Sequence, residues 1–404
     1  MIQKYELVKA YIDNHRSEML EMWRDFVETP SQARDREAAM NMKEKLIGIL
    51  KNMGLKVNEY DVGPVNSQTI EAVWGEDRPG SPILFAGHYD TVNCSAVEDA
   101  KPGAADTFDG TPHFRTDTEG RAYGLGVLDM KGGIVAAVWI IRALSSIGWK
   151  ERPIKLLLAG DEDKGHFDAN TPEILRNVAK GALCCFNMET GRVNNDICIG
   201  RKGGGEGEMS VTGVAAHAGN DFISGRNAVL EMAYKTIELS KLTDLKAGTT
   251  VTPTVIKGGT VPNGIPDSCH LYFDVRYTKS GEADRVKEGF RQIAGITFIE
   301  GTHTNYIYKE YMAPFDMTPA GDALADFVAE VSREHGLGDM GKIVLGGSSD
   351  ACYFTSEGVP TICAMGVCGQ FNHSSKEYAV VESLYTRAKL LACSVLDIER
   401  FAGL

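Results

Sequence analysis

Three short apolar runs of this chain each lead into a histidine or an acid, and this repeated pattern restricts the possible fold. The runs are Ile83–Ala86 before His88 and Asp90, Ile154–Ala159 before Asp161–Glu162–Asp163, and Ala182–Met188 before Glu189. Short, unbroken apolar runs are typical of strands buried on both faces of a parallel sheet. Open α/β sheets bind ligands at the carboxyl ends of their strands. The sequence therefore predicts an α/β fold with a ligand site at one edge of a mostly parallel sheet.

The residues at these strand ends are of types that bind divalent metal ions. His88 and Asp90 are two positions apart, so strand geometry places them on one side of the chain. There Asp90 can accept a hydrogen bond from the ring nitrogen that His88 does not use for metal. Asp129 precedes the apolar segment Ile134–Leu144, which indicates a buried helix. A carboxylate at a helix entrance is also an ordinary N-cap, so Asp129 alone does not indicate a metal site.

Two further segments supply candidate ligands. Asp161, Glu162 and Asp163 are adjacent acids that repel one another. A bound cation or a functional need for a raised pKa explains such a cluster, and a solvated acidic turn is the alternative. His373 lies in the loop Asn372–Glu377, after another apolar run. Its alternative is an ordinary surface histidine.

Taken in order, these residues resemble the co-catalytic zinc peptidases of the aminoacylase and glutamate carboxypeptidase family, in particular its glutamate carboxypeptidase-like branch. The resemblance spans almost the whole chain. Each motif is weak alone, and their order is the strong signal. The other matching motifs are Pro30–Ser31, Gly200–Gly203, Ala216–Gly219, Gly225–Ala228, Asn263–Pro266, Asp274–Arg276 and Gly346–Ala351.

The resemblance implies two bound divalent metal ions, expected to be Zn²⁺, with Mn²⁺ or Co²⁺ as alternatives. Asp129 is expected to bridge the two ions. His88 and Glu189 complete one metal site, and Asp163 and His373 complete the other. The same resemblance implies a zinc-exopeptidase-like sheet sandwiched by helices.

The resemblance also implies catalytic roles. Glu162 is expected to be the general base, and Asp90 to hold the ring of His88. The Asp129–Met130 peptide bond is expected to be cis. His217 is the candidate hydrogen-bond donor to the tetrahedral intermediate, reaching across from the neighbouring subunit. Without the family context, His217 is interpreted as a surface histidine in a turn.

The chain departs from the family in two places. Relatives usually carry Glu where this chain has Asp163, and the missing methylene shortens the ligand's reach. The metal at that site is then expected to shift, to bind one-sidedly, or to favour a larger oxygen-seeking ion such as Mn²⁺. The segment from Asn93 to Glu119 is long and polar, which leaves local substrate contacts open. Within it, Cys94 can either touch the pocket or serve packing.

Four residues are candidates for holding a substrate carboxylate. Arg276 and Arg201 can form paired hydrogen bonds with it, and inter-domain salt bridges are the alternative. Asn263 can assist from the partner subunit, although Asn-Gly is also a good turn. Gly347 belongs to a glycine-serine loop that resembles an anion cradle. This loop lacks Gly-Lys-Ser/Thr, so it does not indicate a nucleotide phosphate.

The order of these residues predicts a discontinuous catalytic domain, 1–204 with 311–404, and an inserted lid or dimerisation domain, 205–310. Residues before and after the insert must meet, because both supply ligands to one site. The insert has the pattern of a ferredoxin-like βαββαβ sheet. Its predicted elements are strand 207–213, helix 226–242, strands 249–257 and 268–277, helix 281–294 and strand 296–301. Helical stretches are predicted at Lys4–Val27, Arg36–Lys51 and Pro319–His335.

Bulk properties exclude several classes of protein. The net charge of −13 disfavours nucleic acid and anionic membranes as partners. No apolar window is long enough to span a bilayer, and the first residues lack a signal-peptide core. The nine cysteines are an odd number without C-x-x-C spacing, which favours free thiols in a reducing cytoplasm.

These observations predict a metal-dependent hydrolase that cleaves a peptide or N-acyl amino-acid amide bond beside a free carboxylate. A carboxypeptidase or dipeptidase, acting as a homodimer, is the leading interpretation. An N-acyl amino-acid deacylase or desuccinylase is the alternative within this class. The alternative of another class is a non-catalytic binding or sensor protein, which the presence of Glu162 disfavours.

Overall fold

The computed structural model describes residues 2–92 and 113–403. The helices of these residues are α1 Ile2–Asn14, α2 Arg16–Glu28, α3 Arg36–Asn52, α4 Gly132–Ser146, α5 Thr171–Ala179, α6 Ala228–Ser240, α7 Ser280–Gly295, α8 Pro319–Glu334, α9 Ala351–Ser356, α10 Val381–Leu396 and α11 Ile398–Ala402. Within this part of the chain, no helix combines the length and the apolar character needed to cross a bilayer.

The strands are short on average and belong to several sheets. They are β1 Lys56–Tyr60, β2 Thr69–Trp74, β3 Ile83–His88, β4 Arg115–Thr116, β5 Arg121–Tyr123, β6 Ile154–Ala159, β7 Cys184–Asn187, β8 Gly191–Arg192, β9 Ile197–Arg201, β10 Gly203–Thr212, β11 Ala216–His217, β12 Thr250–Gly258, β13 Gly264–Ile265, β14 Ser268–Tyr277, β15 His303–Met312, β16 Lys342–Leu345, β17 Thr361–Ile362, β18 Cys368–Gln370 and β19 Tyr378–Val380.

The apolar runs form neighbouring strands of a six-stranded sheet with the order β1-β2-β6-β3-β7-β17. Strands β6, β3, β7 and β17 are parallel to one another, while β1 and β2 join at one side in antiparallel pairs. Every residue of β3 and of β7 is buried. The predicted α/β class with a mostly parallel sheet is confirmed.

Helix α4 is the centre of the apolar core on one face of this sheet. Its residues are apolar almost all round, and such a helix must be buried on every side. It packs against α10, α1 and α2. Helix α8 begins where the sequence predicts, because the Thr318 hydroxyl accepts from the Gly321 N–H and Pro319 occupies the first turn.

A second sheet has four antiparallel strands in the order β12-β14-β10-β15. With helices α6 and α7, the chain order is strand, helix, strand, strand, helix, strand, which is the predicted βαββαβ pattern. Strand β14 alternates buried and more exposed residues, as expected for a sheet with one covered face. The covered face packs with both helices around Phe273 and Phe290.

The chain divides into two compact units. One consists of Met1–Gly200, Met317–Val344 and Ser349–Leu404, and the other of Arg201–Asp316 and Leu345–Ser348. The predicted division was 1–204 with 311–404 and 205–310, whereas here Leu345–Ser348 groups with the second unit. The catalytic and lid roles assigned to these domains stay predictions.

One predicted element was interrupted and another was wrong. The predicted helical stretch Lys4–Val27 is helical except at His15, which divides it into α1 and α2 and whose ring Nδ1 lies 2.7 Å from the Tyr11 carbonyl oxygen. The strand predicted at 296–301 is a loop, and the last strand is β15. In that loop the Glu231 carboxylate accepts the N–H groups of Phe298 and Ile299, which are therefore not available to a sheet.

Helix α4 packs tightly against Met188, the residue after β7, and this packing gives a stability prediction. A Cβ at Gly133 would lie 2.0 Å from the Met188 carbonyl oxygen. Gly133→Ala should therefore lower the free energy of unfolding by about 1–3 kcal/mol, the usual cost of overpacking. The control is Gly48 in α3, where the added Cβ has no described atom within 4 Å apart from its chain neighbours and the nearby backbone of its own helix. Gly48→Ala should be neutral or stabilising in the same denaturant titration, and equal losses in both variants would contradict the packing argument.

Candidate active site

Adjacent parallel strands deliver the predicted ligands to one edge of the first unit's sheet. Strand β3 ends at His88, β6 leads into the acidic turn Asp161–Asp163, and β7 leads into Glu189. Because β6, β3 and β7 are neighbours, their carboxyl ends meet. The side chains of His88, Asp161, Asp163 and Glu189 are buried, and that of Glu162 is slightly exposed.

The first group of candidate ligands gathers around the His88 ring. The Nε2 atom of His88 lies 3.2 Å from Asp129 Oδ1 and 3.4 Å from Glu189 Oε1. The opposite nitrogen, Nδ1, lies 3.0 Å from the backbone oxygen of Asp90. An imidazole held in this way at Nδ1 can present Nε2 to a metal ion.

The second group forms around the other oxygen of Asp129. His373 Nε2 lies 3.0 Å from Asp129 Oδ2 and 3.1 Å from Asp163 Oδ1. Asp129 thus turns one oxygen towards each histidine, which is the arrangement expected of a bridging carboxylate. The Asp129–Met130 peptide bond is cis, as the resemblance implies.

These residues fit a pair of divalent ions. In each group the potential ligand atoms lie within 4.8 Å of one another. Asp163 Oδ2 is buried, and no hydrogen-bond partner for it occurs among the described residues, so it is available for a cation. Imidazole nitrogens and carboxylate oxygens are ligands that Zn²⁺ and its neighbours in the transition series accept.

Asp90 contacts both the histidine and the acidic turn. Its Oδ1 lies 3.4 Å from His88 Nδ1, farther than its own backbone oxygen. The carboxylate also accepts the backbone N–H groups of Glu162 and Asp163, at 3.2 and 3.0 Å. Asp90 therefore fixes the backbone that carries the predicted base, in addition to its predicted contact with the ring.

Glu162 lies beside the first group and directly precedes Asp163 of the second. Its Oε2 is 3.8 Å from His88 Nε2, and 11% of its side chain is exposed. Among the protein groups alone, burial raises the pKa of the Glu162 carboxyl well above its usual value. His88 opposes this rise, and the Glu189 and Asp350 carboxylates add to it. Burial likewise raises the pKa of Asp163, to about 6, against the effect of His373.

Two supporting residues were not assigned a role from the sequence. The buried Glu377 carboxylate accepts the backbone N–H groups of Gly126, Leu128 and Asp129, at 3.2, 2.8 and 3.0 Å. The Asn372 amide donates to Asp129 Oδ2 at 2.8 Å. Both lie within five residues of His373, so an acid and an amide in a ligand-bearing loop were the only sequence signal for these two residues, and this signal does not show which atoms they contact.

In the second unit, the structure brings His217 and Asn263 together. Strands β11 and β13 pair His217 with Gly264, and the Ala218 N–H donates to the Asn263 carbonyl. The exposed His217 ring accepts two backbone N–H groups at Nδ1, from Gly219 and Asn220, both at 3.1 Å. In the neutral ring the proton must then reside on Nε2, which becomes the donor.

The remaining predicted residues also lie in the second unit. Arg276 forms a forked pair with Asp274, two residues earlier on β14, through Nε and Nη2 at 3.0–3.2 Å. Of the salt bridges that Arg276 could form, the structure therefore has one within the unit rather than the inter-domain one that was the alternative to substrate binding. Arg201 is buried, and its Nη1 donates to the Ser348 carbonyl beside Gly347. Cys94 lies outside the described residues.

The glycine-serine loop is followed by a short helix. Helix α9 has only six residues, so its end provides little helix dipole for an anion. The Asp350 carboxylate at its start faces His166. The cradle role of Gly347 stays a prediction.

An α/β fold that gathers imidazoles and carboxylates at the carboxyl edge of its sheet defines a metal-dependent hydrolase. Residues 84–397 match peptidase family M20/M25/M40. Since this match covers well over half of the chain, the protein belongs to that family, whose members hydrolyse C–N bonds.

Individual relatives cover most of the chain. Carboxypeptidase G2 of Pseudomonas sp. (strain RS-16) is 26% identical over 86% of this chain and 79% of its own. Succinyl-diaminopimelate desuccinylase of Bordetella parapertussis is 24% identical over 91% and 94%. The solved structure of aminopeptidase PepT from Bacillus cereus superposes with a TM-score of 0.77 over 95% of this chain and 99% of its own, at 19% identity. This similarity confirms the fold.

The contacts of Glu377 give a prediction for the metal site. Glu377→Ala leaves three backbone N–H groups beside Asp129 without their acceptor, so affinity for Zn²⁺ should fall by about 10–100-fold. Titration calorimetry of the metal-depleted protein measures this change.

The control for this variant is Glu231→Ala in the second unit. Glu231 is also buried and also accepts two backbone N–H groups. It should lose stability without losing Zn²⁺ affinity. If the Glu377 variant binds Zn²⁺ as tightly as the parent protein, Glu377 does not position Asp129.

Proposed function

We propose that the protein hydrolyses a peptide or N-acyl amino-acid amide bond next to a free carboxylate. The observation that carries this proposal is the sharing of Asp129 between two ligand groups, with Glu162 3.8 Å from His88 and next to Asp163 in the chain. Such a site suits amide hydrolysis, because an amide needs both an activated water and a polarised carbonyl. A pair of divalent ions supplies both when bound.

Glu162 is the proposed general base. Its carboxylate takes a proton from the attacking water and then delivers a proton to the leaving amine. The backbone hydrogen bonds from Glu162 and Asp163 to Asp90 hold the turn in place, which supports this role. A binding protein has no use for a base at this position.

His217 is the proposed donor to the developing oxyanion. A fixed neutral donor stabilises the transition state more than the bound substrate. The two backbone N–H groups at Nδ1 hold the ring in the tautomer that donates from Nε2. We propose that this histidine comes from the partner subunit, together with Asn263.

Arg201 and Gly347 are the favoured candidates for binding the substrate carboxylate, because they lie together and Arg201 Nη1 donates to the carbonyl of Ser348, the residue that follows Gly347. Arg276 is retained as a second candidate. To bind a substrate, the Arg276 guanidinium must release the Asp274 carboxylate or share its donors with it, because Nε and Nη2 already donate to Asp274.

Two substrate classes fit the site. Cleavage of peptides by a carboxypeptidase or dipeptidase is the leading proposal, in line with the likeness to carboxypeptidase G2. The likeness to a desuccinylase supports an N-acyl amino-acid deacylase as the second candidate. Turnover of a panel of dipeptides, N-acyl amino acids and succinylated amines decides between them.

Zn²⁺ is the proposed metal, with Mn²⁺ or Co²⁺ as alternatives. Asp163 reaches less far than the glutamate that relatives usually carry, which favours an ion of larger radius at the site shared with His373. Elemental analysis of the purified protein identifies the metal.

We also propose a homodimer formed through the second unit. Strand β12 lies at the edge of its sheet, and Val255 and Ile256 on it are exposed. Leu230, Tyr234 and Ile237 of α6 are exposed as well, at the spacing of one helix face. An apolar helix face beside an open strand edge favours pairing with a second copy.

A cytoplasmic location is proposed on the basis of the cysteines. The eight described cysteines are all buried free thiols. Thiols persist in a reducing compartment, whereas a secreted protein is expected to carry disulfides. Cell fractionation tests this location.

The base role of Glu162 predicts a variant that binds metal but does not turn over. Glu162→Gln should retain both ions and lower kcat by about 10²–10⁴-fold, the usual contribution of a general base. The assay uses the best substrate of the panel, with metal content measured in parallel.

The control is Glu71→Gln. Glu71 is another buried carboxylate, paired with Lys155 on β6 at 2.9 Å. It should lose stability but keep kcat. Near-normal kcat in the Glu162 variant would remove Glu162 from the base role.

The dimer proposal predicts a monomeric variant. Ile237, 56% exposed on α6, is replaced by Glu, because a charge cannot be buried in an apolar interface without a partner. Analytical ultracentrifugation should then show a monomer with reduced turnover, since His217 would no longer be supplied by a partner. Leu7→Glu, at a 49% exposed site in α1, should remain dimeric and active. A dimer of unchanged affinity in the Ile237 variant overturns the proposed interface.

A further inference from the structure

A buried histidine that the proposed reaction does not use lies at the end of the acidic turn. His166 follows Asp163 by three residues, and its side chain is 1% exposed. Its Nδ1 lies 2.8 Å from Asp161 Oδ1, and its Nε2 lies 2.7 Å from Asp350 Oδ1. The ring therefore joins two buried carboxylates from distant parts of the chain.

The two carboxyl groups favour a charged ring. Ionised carboxylate oxygens only accept hydrogen bonds, so with both acids ionised both ring nitrogens carry protons and His166 is an imidazolium. Although burial lowers the pKa of His166, Asp350 and Asp161 together hold it well above its usual value. The Thr171 hydroxyl also donates to Asp161, at 2.9 and 3.0 Å.

This ring is attached to the backbone that carries the site. Asp161 directly precedes Glu162 and Asp163, and the His166 N–H donates to the Asp161 carbonyl at 3.0 Å. On the other side, Asp90 accepts the N–H groups of Glu162 and Asp163. The acidic turn is thus held from both ends, by Asp90 at one and by His166 at the other.

His166 also offsets charge near the proposed base. The Asp350 carboxylate is one of the negative groups that act on Glu162. With His166 present, this carboxylate is half of a short ion pair. Without it, Asp350 and Asp161 would be two buried carboxylates with no cation between them, a costly arrangement in a protein interior.

We propose that His166 is a positioning residue of the active site: it ties Asp161 to Asp350 and so fixes where the Glu162 and Asp163 carboxylates lie. This inference rests on the proposed function, in which Glu162 is the base and Asp163 a metal ligand. Residues that orient metal ligands from behind usually contribute 10–100-fold to metal affinity or activity, which sets the expected effect.

A purely structural ion pair is the competing interpretation, and the chain offers a matched case. Lys43 is buried and pairs with Glu59 at 2.7 Å, away from the ligand groups. Lys43→Gln removes a buried cation, as His166→Gln does, and leaves the 35% exposed Glu59 carboxylate without this partner. Both variants should lose stability, whereas only a positioning role changes the metal site.

The experiment compares His166→Gln with Lys43→Gln in two measurements. In steady-state kinetics, His166→Gln should lower kcat by about 10–100-fold. Its KM should change by less than about threefold, because substrate binding is not altered. In Co²⁺ titrations of the metal-depleted protein, followed by calorimetry and by the visible Co²⁺ spectrum, the Kd of the second equivalent should rise by about 10–100-fold. Lys43→Gln should change neither kcat nor Co²⁺ binding.

A double variant tests the tie itself. In His166→Gln combined with Asp350→Asn, no carboxylate is left unpaired at position 350, so folding is favoured even if the single His166 variant is unstable. Because the two residues act as one unit, the double variant should lose no more kcat than His166→Gln alone. Multiplicative losses would show that the residues act independently and would overturn the proposal.

Other outcomes are equally decisive. A folded His166→Gln protein with the parent's kcat and Co²⁺ affinity makes His166 merely structural. Co²⁺ binding is measured without substrate, so weakened Co²⁺ binding in His166→Gln supports the positioning role of His166 whatever the activity of Glu162→Gln. An active Glu162→Gln variant would overturn only the base role of Glu162.

Discussion

Concentrated negative charge at one edge of the sheet is the constraint on which this structure depends. Asp90, Asp129, Glu162, Asp163 and Glu189 meet where parallel strands end, in surroundings largely closed to water. Buried like charges repel strongly, because the interior screens them poorly. Cations, imidazoles and hydrogen bonds must therefore offset them, and much of the surrounding structure serves that purpose.

The contacts that support the site are made by neighbouring residues to the backbone that carries the ligands. Glu377 holds the backbone at Asp129, while Asp90 holds the backbone of the acidic turn. In both cases a carboxylate accepts backbone N–H groups. These hydrogen bonds hold the main chain directly and do not depend on a second flexible side chain. These buried carboxylates fix the position of the backbone beside the ligands. The ligand side chains therefore have little freedom to move.

The sequence was sufficient to predict the sheet and the ligand groups, because apolar runs and the residues that follow them are local signals. It was not sufficient for contacts between distant segments. Glu377 bonds to a backbone about 250 positions earlier, and no local pattern records that. The strand predicted at 296–301 does not form, also because of a contact with a distant segment: the Glu231 carboxylate accepts the N–H groups of Phe298 and Ile299. The sequence also does not show that the Arg276 guanidinium donates hydrogen bonds to the Asp274 carboxylate.

The interrupted first unit has a consequence for synthesis on the ribosome. The second unit is nearly continuous, over Arg201–Asp316, and can form as soon as it emerges. The six-stranded sheet must wait, because β7 is made before this insert and its partner β17 after it. For that interval β7 presents an open, apolar edge, which invites pairing with other nascent chains. Slower translation or a bound chaperone should thus matter most between the completion of β7 and that of β17.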